Sequence, residues 1–116
     1  MKLLKQSELP WSRIANELIG DDHGVGLSIV FVDAPPGRGP SLHTHPYDEI
    51  LIVQEGRGTA VVAGEEVELE AGDVVMVHAN EPHSFRNTGE TNLKQVDIHL
   101  SPRFETEWLE EDAADD

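Results

Sequence analysis

The run HTHPYDE sets His43, His45 and Glu49 within seven residues of a chain that holds six histidines in all. In an extended strand every second side chain points to one face, so His43 and His45 would project together with their Cα atoms about 7 Å apart, a chelating spacing. Pro46 supports the extended reading, because a proline disfavours helical geometry in the residue before it. Glu49 opens the apolar run EILIV. On the inward face with Leu51 and Val53 it would place a carboxylate at the lip of an apolar interior, which is costly unless the charge is paired or bound to a metal. His83 opens the run HSFRN with Phe85 and Asn87 on its face. Three imidazoles and a carboxylate form a set suited to Mn, Fe, Co, Ni, Cu or Zn, and on an octahedral ion they leave two positions for water or substrate.

The elements that must position these residues read as strands. VGLSIVFVD (Val25 to Asp33), EILIVQ, TAVVA, EVELE, DVVMVH, HSFRN and KQVDIHLS follow one another, separated by turns such as PPGRGP, EGRG, GEE and EAGD. Their spacing of about ten residues predicts an antiparallel sandwich or barrel, and no helical crossover is present to build a parallel sheet. Helix is expected only near the ends, at Ser12 to Ile19 and at Pro102 to Glu111, where Phe104 and Trp108 have i, i+4 spacing. In VELE the alternation points Val67 and Leu69 inward. ILIV and VVMV are apolar on both faces, so their outer faces require a cover, and a homodimer is one way to supply it.

Composition narrows the classes of function. A chain of 116 residues has room for one domain. It has no cysteine, which excludes disulfides, thiolate ligands and cysteine nucleophiles. The 23 acids against 8 bases give a formal charge of -15, so nucleic acid and anionic membrane are not expected partners. Neither a signal-type apolar run nor a membrane-length one occurs, and the expected location is the cytoplasm. Seven acids and no base lie between Glu105 and Asp116. Residues 1–104 are therefore expected to form the domain and 105–116 an acidic, solvated tail.

With these residues in place the sequence resembles the cupin superfamily, small jelly-roll β-barrels marked by two motifs. The first, G-x5-H-x-H-x3-4-E-x6-G, is met by Gly37, His43, His45, Glu49 and Gly56. The second, G-x5-P-x-G-x2-H-x3-N, is met by Gly72, His83 and Asn87, with His78 in place of proline and Asn80 in place of glycine. Asparagine tolerates the positive φ a turn glycine would adopt, so that departure leaves the fold intact. The resemblance implies an all-β jelly-roll barrel with His43, His45, Glu49 and His83 as ligands of a divalent transition metal.

The expected function is that of a metal-dependent oxidoreductase of the dioxygenase type acting on a small molecule, with Leu51, Val53, Met76 and Phe85 as apolar walls. A metal-dependent isomerase or lyase would use the same ligands, and a non-catalytic module binding a carboxylate or sugar would share both fold and site. Behind the ligands, His78, His99 and Tyr47 are candidates for groups that touch substrate. His78 ends VVMVH and lies either at the cavity mouth or on a solvated turn. His99 sits opposite Val96, Ile98 and Leu100, and reaches the interior only if that polar face is the inward one. Turn chemistry alone accounts for Tyr47 and Asp48 as connectors, and Arg38, Arg57, Arg86 and His23 are expected at the surface.

Overall fold

The computed structural model describes residues 1–110. Eleven strands are formed among the described residues: β1 (Trp11–Ser12), β2 (Ala15–Leu18), β3 (Ser28–Ala34), β4 (His43–Thr44), β5 (Glu49–Glu55), β6 (Arg57–Val62), β7 (Glu65–Glu70), β8 (Val74–Val77), β9 (His83–Asn87), β10 (Leu93–His99) and β11 (Glu107–Trp108). Their pairings are antiparallel and build two sheets, β1-β2-β3-β10-β5-β8 and β11-β4-β9-β6-β7. This is the expected all-β jelly roll. The core lies between the sheets, where Val32, Ala34, Val53, Ala60, Leu69, Phe85 and Leu93 pack with Ile14 and Ala15.

The two terminal helices are not formed. Trp11–Ser12 and Ala15–Leu18 make a hairpin that extends the first sheet, and Glu107–Trp108 pairs with β4. Among the described residues the only helical elements are 3₁₀ turns at Gln6–Glu8 and Gly20–Asp22. Both expected helices were short, and sheet edges with unpaired backbone groups outweigh the weak propensity of such segments. Glu105 and β11 thus lie against the barrel, and the remainder of the acidic run, 111–116, falls outside the described residues.

Register explains two further corrections. β5 pairs β8 with Leu51 opposite Val75 and Ile50 opposite Met76, so Val75 and Val77 point inward and Met76 is 64% exposed, not a cavity wall. Leu69 of β7 is buried as expected, but Val67 lies nearer the open end of this edge strand and is 43% exposed. The inner face of the first sheet reads Ser28, His99, Glu49, Val77 in one row, then Glu17, Val30, Asp97, Leu51, Val75, then Ala15, Val32, Gln95, Val53. Its outer face reads Leu18, Ile29, Ile98, Ile50, Met76 and then Asn16, Phe31, Val96, Ile52, Val74, two rows without a charge. In β10 the polar residues therefore face inward and the apolar ones outward.

Turn geometry holds the strands in that register. Gly56 has φ +84°, and a Cβ there would meet the Asn92 carbonyl oxygen at 2.4 Å, so only glycine fits. Asn80 does adopt positive φ, +68°, and its N–H donates to the His45 carbonyl at 2.8 Å. Asn87, 1% exposed, donates to the carbonyls of Ala34 and Thr91, both at 2.8 Å, and accepts from Gly89 N–H at 2.9 Å.

Asn87 lies at the opposite end of β9 from His83, so its role is structural. Asn87→Ala should cost about 2–4 kcal/mol, because it leaves the buried Ala34 carbonyl without its partner. Urea denaturation should show the loss, while divalent-metal affinity stays within about twofold of the native chain.

Candidate metal centre

His43, His45, Glu49 and His83 converge at the seam between the two sheets, with one potential ligand atom from each lying within 4.8 Å of all the others. His43 on β4 stands opposite His83 on β9, and Glu49 opens β5 in the facing sheet. All four are buried. Glu49 Oε1 is 3.1 Å from His83 Nε2 and 3.3 Å from His45 Nε2.

Each imidazole is oriented through its other nitrogen. Nδ1 lies 2.6 Å from the Ser41 carbonyl in His43, 2.8 Å from the Glu105 carbonyl in His45 and 2.9 Å from the Glu81 carbonyl in His83. A carbonyl only accepts, so Nδ1 carries the proton and the Nε2 lone pair points into the cluster. His45 Nε2 is a buried nitrogen with no hydrogen-bond donor facing it. Lone pairs and a carboxylate aimed at one point are mutually repulsive unless a cation, a metal ion or a proton, sits among them. The donor set therefore fits a divalent transition metal.

Electrostatics agree with that reading. Burial alone would raise Glu49, but the neighbouring imidazoles of His45, His83 and His99 outweigh it and hold the carboxyl well below its usual range. Burial, together with the charge of His83, lowers His43 to about 4. In His83 burial acts downward, and the hydrogen bond and charge of Glu49 overcome it, so the net direction is upward. A metal bound here would compete with protons for the Nε2 of His83.

A cavity of about 380 Å³ opens beside the cluster. His99 lines it, buried, with Nε2 3.3 Å from Glu49 Oε2 and Nδ1 2.8 Å from Tyr47 Oη. Glu49 is thereby held at both oxygens. Tyr47 is more than a connector: burial pushes its phenol up to about 12, so it remains protonated beside His99. His78 is exposed, its Nδ1 3.9 Å from Asp48 Oδ1, and lies away from the cluster. Arg57 pairs with Glu70, Arg86 donates to the Gly37 carbonyl, and His23 meets Lys2, none of them in the cavity. Arg38 is half-buried rather than at the surface, and it too lies outside the cavity.

Several lining residues were not singled out from sequence. Trp108 meets the His43 ring in a tilted contact at 4.9 Å and Phe104 meets His99 edge-on at 4.9 Å, so the segment from Phe104 to Trp108 walls the site. The i, i+4 spacing of this pair was visible but suggested a helix. Leu51 and Val53 are core residues, whereas Phe85, Val30, Val32 and Ile14 supply apolar wall. Asp97, wholly buried, accepts from Gln95 Nε2 at 2.9 Å, and burial first, then the Glu49 charge, holds its carboxyl well above the usual range.

Comparison with known proteins adds a family. A cupin domain model matches residues 30–99. The chain is 39% identical over 61 residues to an oxalate-binding protein of Thermotoga maritima, covering 52% of this chain and 50% of that one. It is 31% identical over 67 residues to an acireductone dioxygenase of Geobacillus thermodenitrificans, covering 53% of this chain and 37% of that one. The matches thus span half or less of these relatives. A double-stranded β-helix protein of Klebsiella pneumoniae superposes with TM-score 0.76 at 19% identity over 96% of this chain and 99% of that one, a likeness of fold.

The raised Asp97 carboxyl yields a pH prediction. A carboxyl raised by folding contributes stability that is complete below its ordinary value of 3.8 and lost as pH rises toward the folded value. Asp97→Asn has no proton to lose, so it should gain stability relative to the native chain between pH 4 and pH 7. Denaturant titration of metal-free protein at those two pH values measures it, and an equal difference at both would mean that Asp97 is ionised in the fold.

Proposed function

The chain belongs to the cupin domain family, and on that premise we propose that it is a metalloenzyme of the oxygenase type acting on a small molecule. Its metal would be held by His43, His45, Glu49 and His83. The observation that carries this reading is the convergence of three Nε2 lone pairs and an ionised carboxylate, each imidazole locked by a carbonyl behind it. A divalent transition ion there would supply Lewis acidity and a template for substrate. The chain's own residues do the rest. His99 and Tyr47 hold Glu49 Oε2 in place, and Phe85, Phe104 and Trp108 exclude water from the cavity. The likeness to an acireductone dioxygenase supports chemistry over storage.

A second reading, a module that binds a small carboxylate without turning it over, draws on the likeness to an oxalate-binding protein. Oxygen uptake separates the two. Protein loaded with Fe(II) or Mn(II) should consume oxygen with at least one member of a panel of diketones and catechols, and His83→Ala should abolish it. Stoichiometric, metal-dependent binding without turnover would favour the binding module.

Metal affinity is the prior measurement. Calorimetric titration of chelator-treated protein should show one divalent ion per chain, and His83→Ala or Glu49→Gln should weaken it by about 100-fold. A chain that takes up none of Mn, Fe, Co, Ni, Cu or Zn would end the metalloenzyme reading.

We further propose that two copies pair through the outer face of the first sheet. In a chain of charge -15 these two rows carry no charge, and Val74 and Met76 on it are 56% and 64% exposed. Ile50→Glu with Met76→Glu should convert a dimer to a monomer in sedimentation analysis. A native chain that already sediments as a monomer would rule the pairing out.

A further inference from the structure

The polar lining of the metal cavity is uneven. Ser12, Arg13 and Thr106 are exposed and Glu17 is half-buried, so outside the four ligands and His99 the one buried polar side chain among the lining residues is Asp97. Register fixes where it stands. Asp97 lies opposite Leu51 on β5 and Val30 on β3, on the inner face two residues along from the paired Glu49 and His99. Two residues of strand span roughly 7 Å, which makes Asp97 a diagonal neighbour of Glu49, one step deeper in the barrel.

Its two oxygens are held differently. Oδ1 accepts from Gln95 Nε2 at 2.9 Å. Oδ2 has no hydrogen-bond partner among the described residues and, unlike Gln95 Oε1, it is not sealed in the interior. It therefore opens on the cavity that Asp97 lines. A structural role does not account for this arrangement, because the pairing leaves Gln95 Oε1 unpartnered and the neighbours along the row, Val30, Leu51 and Val75, are apolar. A buried carboxyl with one free oxygen is costly unless something in the cavity meets it.

The surroundings decide what kind of group that is. Burial first, and then the Glu49 charge, raise the carboxyl, which weakens its hold on a cation. An ammonium would also lose its hydration among Ile14, Val30, Val32 and Phe85. A hydroxyl is uncharged and both donates and accepts, so it pairs with a carboxyl in either ionisation state.

We infer that Asp97 Oδ2 selects the substrate by hydrogen-bonding a hydroxyl a few bonds beyond the atoms that chelate the metal, so that the preferred ligands are small hydroxylated chelators. This rests on the metal reading above. Asp97 would touch the bound molecule and not the ion.

The test uses the chain at saturating Mn(II), with occupancy fixed for each variant by electron paramagnetic resonance. 3-Hydroxypyruvate, 4-hydroxy-2-oxobutyrate and 5-hydroxy-2-oxopentanoate are titrated against pyruvate, 2-oxobutyrate and 2-oxopentanoate, which chelate metal alike but lack the hydroxyl. In the native chain at least one hydroxylated acid should bind about tenfold more tightly than its match. Asp97→Leu, or Asp97→Ala should the first fail to fold, should bring that ratio to about one. Asp97→Asn, whose amide can still accept from Gln95 and donate to a hydroxyl, should keep it above about threefold. A native ratio near one at every length, or a ratio that survives Asp97→Leu, would overturn the inference while leaving the metal centre standing. Equal loss in Asp97→Asn and Asp97→Leu would also overturn it, by assigning the effect to packing. Failure to bind Mn(II) at all would remove the metal reading and this inference together.

Discussion

A single buried carboxylate organises this molecule. Glu49 opens β5 at the seam of the two sheets, with His45 and His83 at one oxygen and His99 at the other. A charge so placed is tolerated only if every direction from it offers a donor or a cation. The histidines of the facing sheet meet that need only if a cation joins them, since their protons are committed to backbone carbonyls on the far side. The same charge acts further into the barrel, where after burial it helps to raise the Asp97 carboxyl well above its usual range. Stability and the proposed metal binding would therefore be coupled at one residue.

The rest of the scaffold grades polarity away from that point. Along the inner face of the first sheet the rows pass from Glu49 and His99, through Asp97 beside Leu51, to Gln95 beside Val53 and Val32. The cavity floor thus becomes progressively more apolar toward the core of Val53, Phe85 and Leu93. Both ends of the described chain close the opening. The N-terminal hairpin brings Arg13 and Ile14 to one side, and the segment from Phe104 to Trp108 covers the other. The Glu105 carbonyl, 2.8 Å from His45 Nδ1, ties the second of these to a ligand. Part of the cavity's lining therefore comes from residues outside the motif region.

Much of this was legible in the sequence. The spacing of His43, His45, Glu49 and His83, and the glycines and asparagine between them, mark a barrel with a four-residue cluster because period-two alternation and turn residues are local signals. The terminal segments were illegible for the opposite reason. SRIANELI and the stretch after Pro102 carry weak helical patterns, and their pairing partners are β3 and β4, distant in sequence. Met76 and Val67 were misplaced because an apolar residue on an edge strand carries no local mark of which side is covered.

Residue types and spacings by themselves determined the succession of strands along the barrel's middle, the likeness to one family and the four potential ligands, since each is read from motifs within short windows of the chain. Tertiary structure alone decided that the polar face of β10 turns inward, that His99 and Tyr47 stand behind Glu49, and that Arg13 and Trp108 frame the cavity. Those outcomes depend on which strands become neighbours. His99 meets Glu49 only because β10 pairs with β5, and Trp108 meets His43 only because β11 pairs with β4. Pairing between segments so far apart is set by burial and by the satisfaction of sheet edges across the whole chain, and no short window of residues contains it.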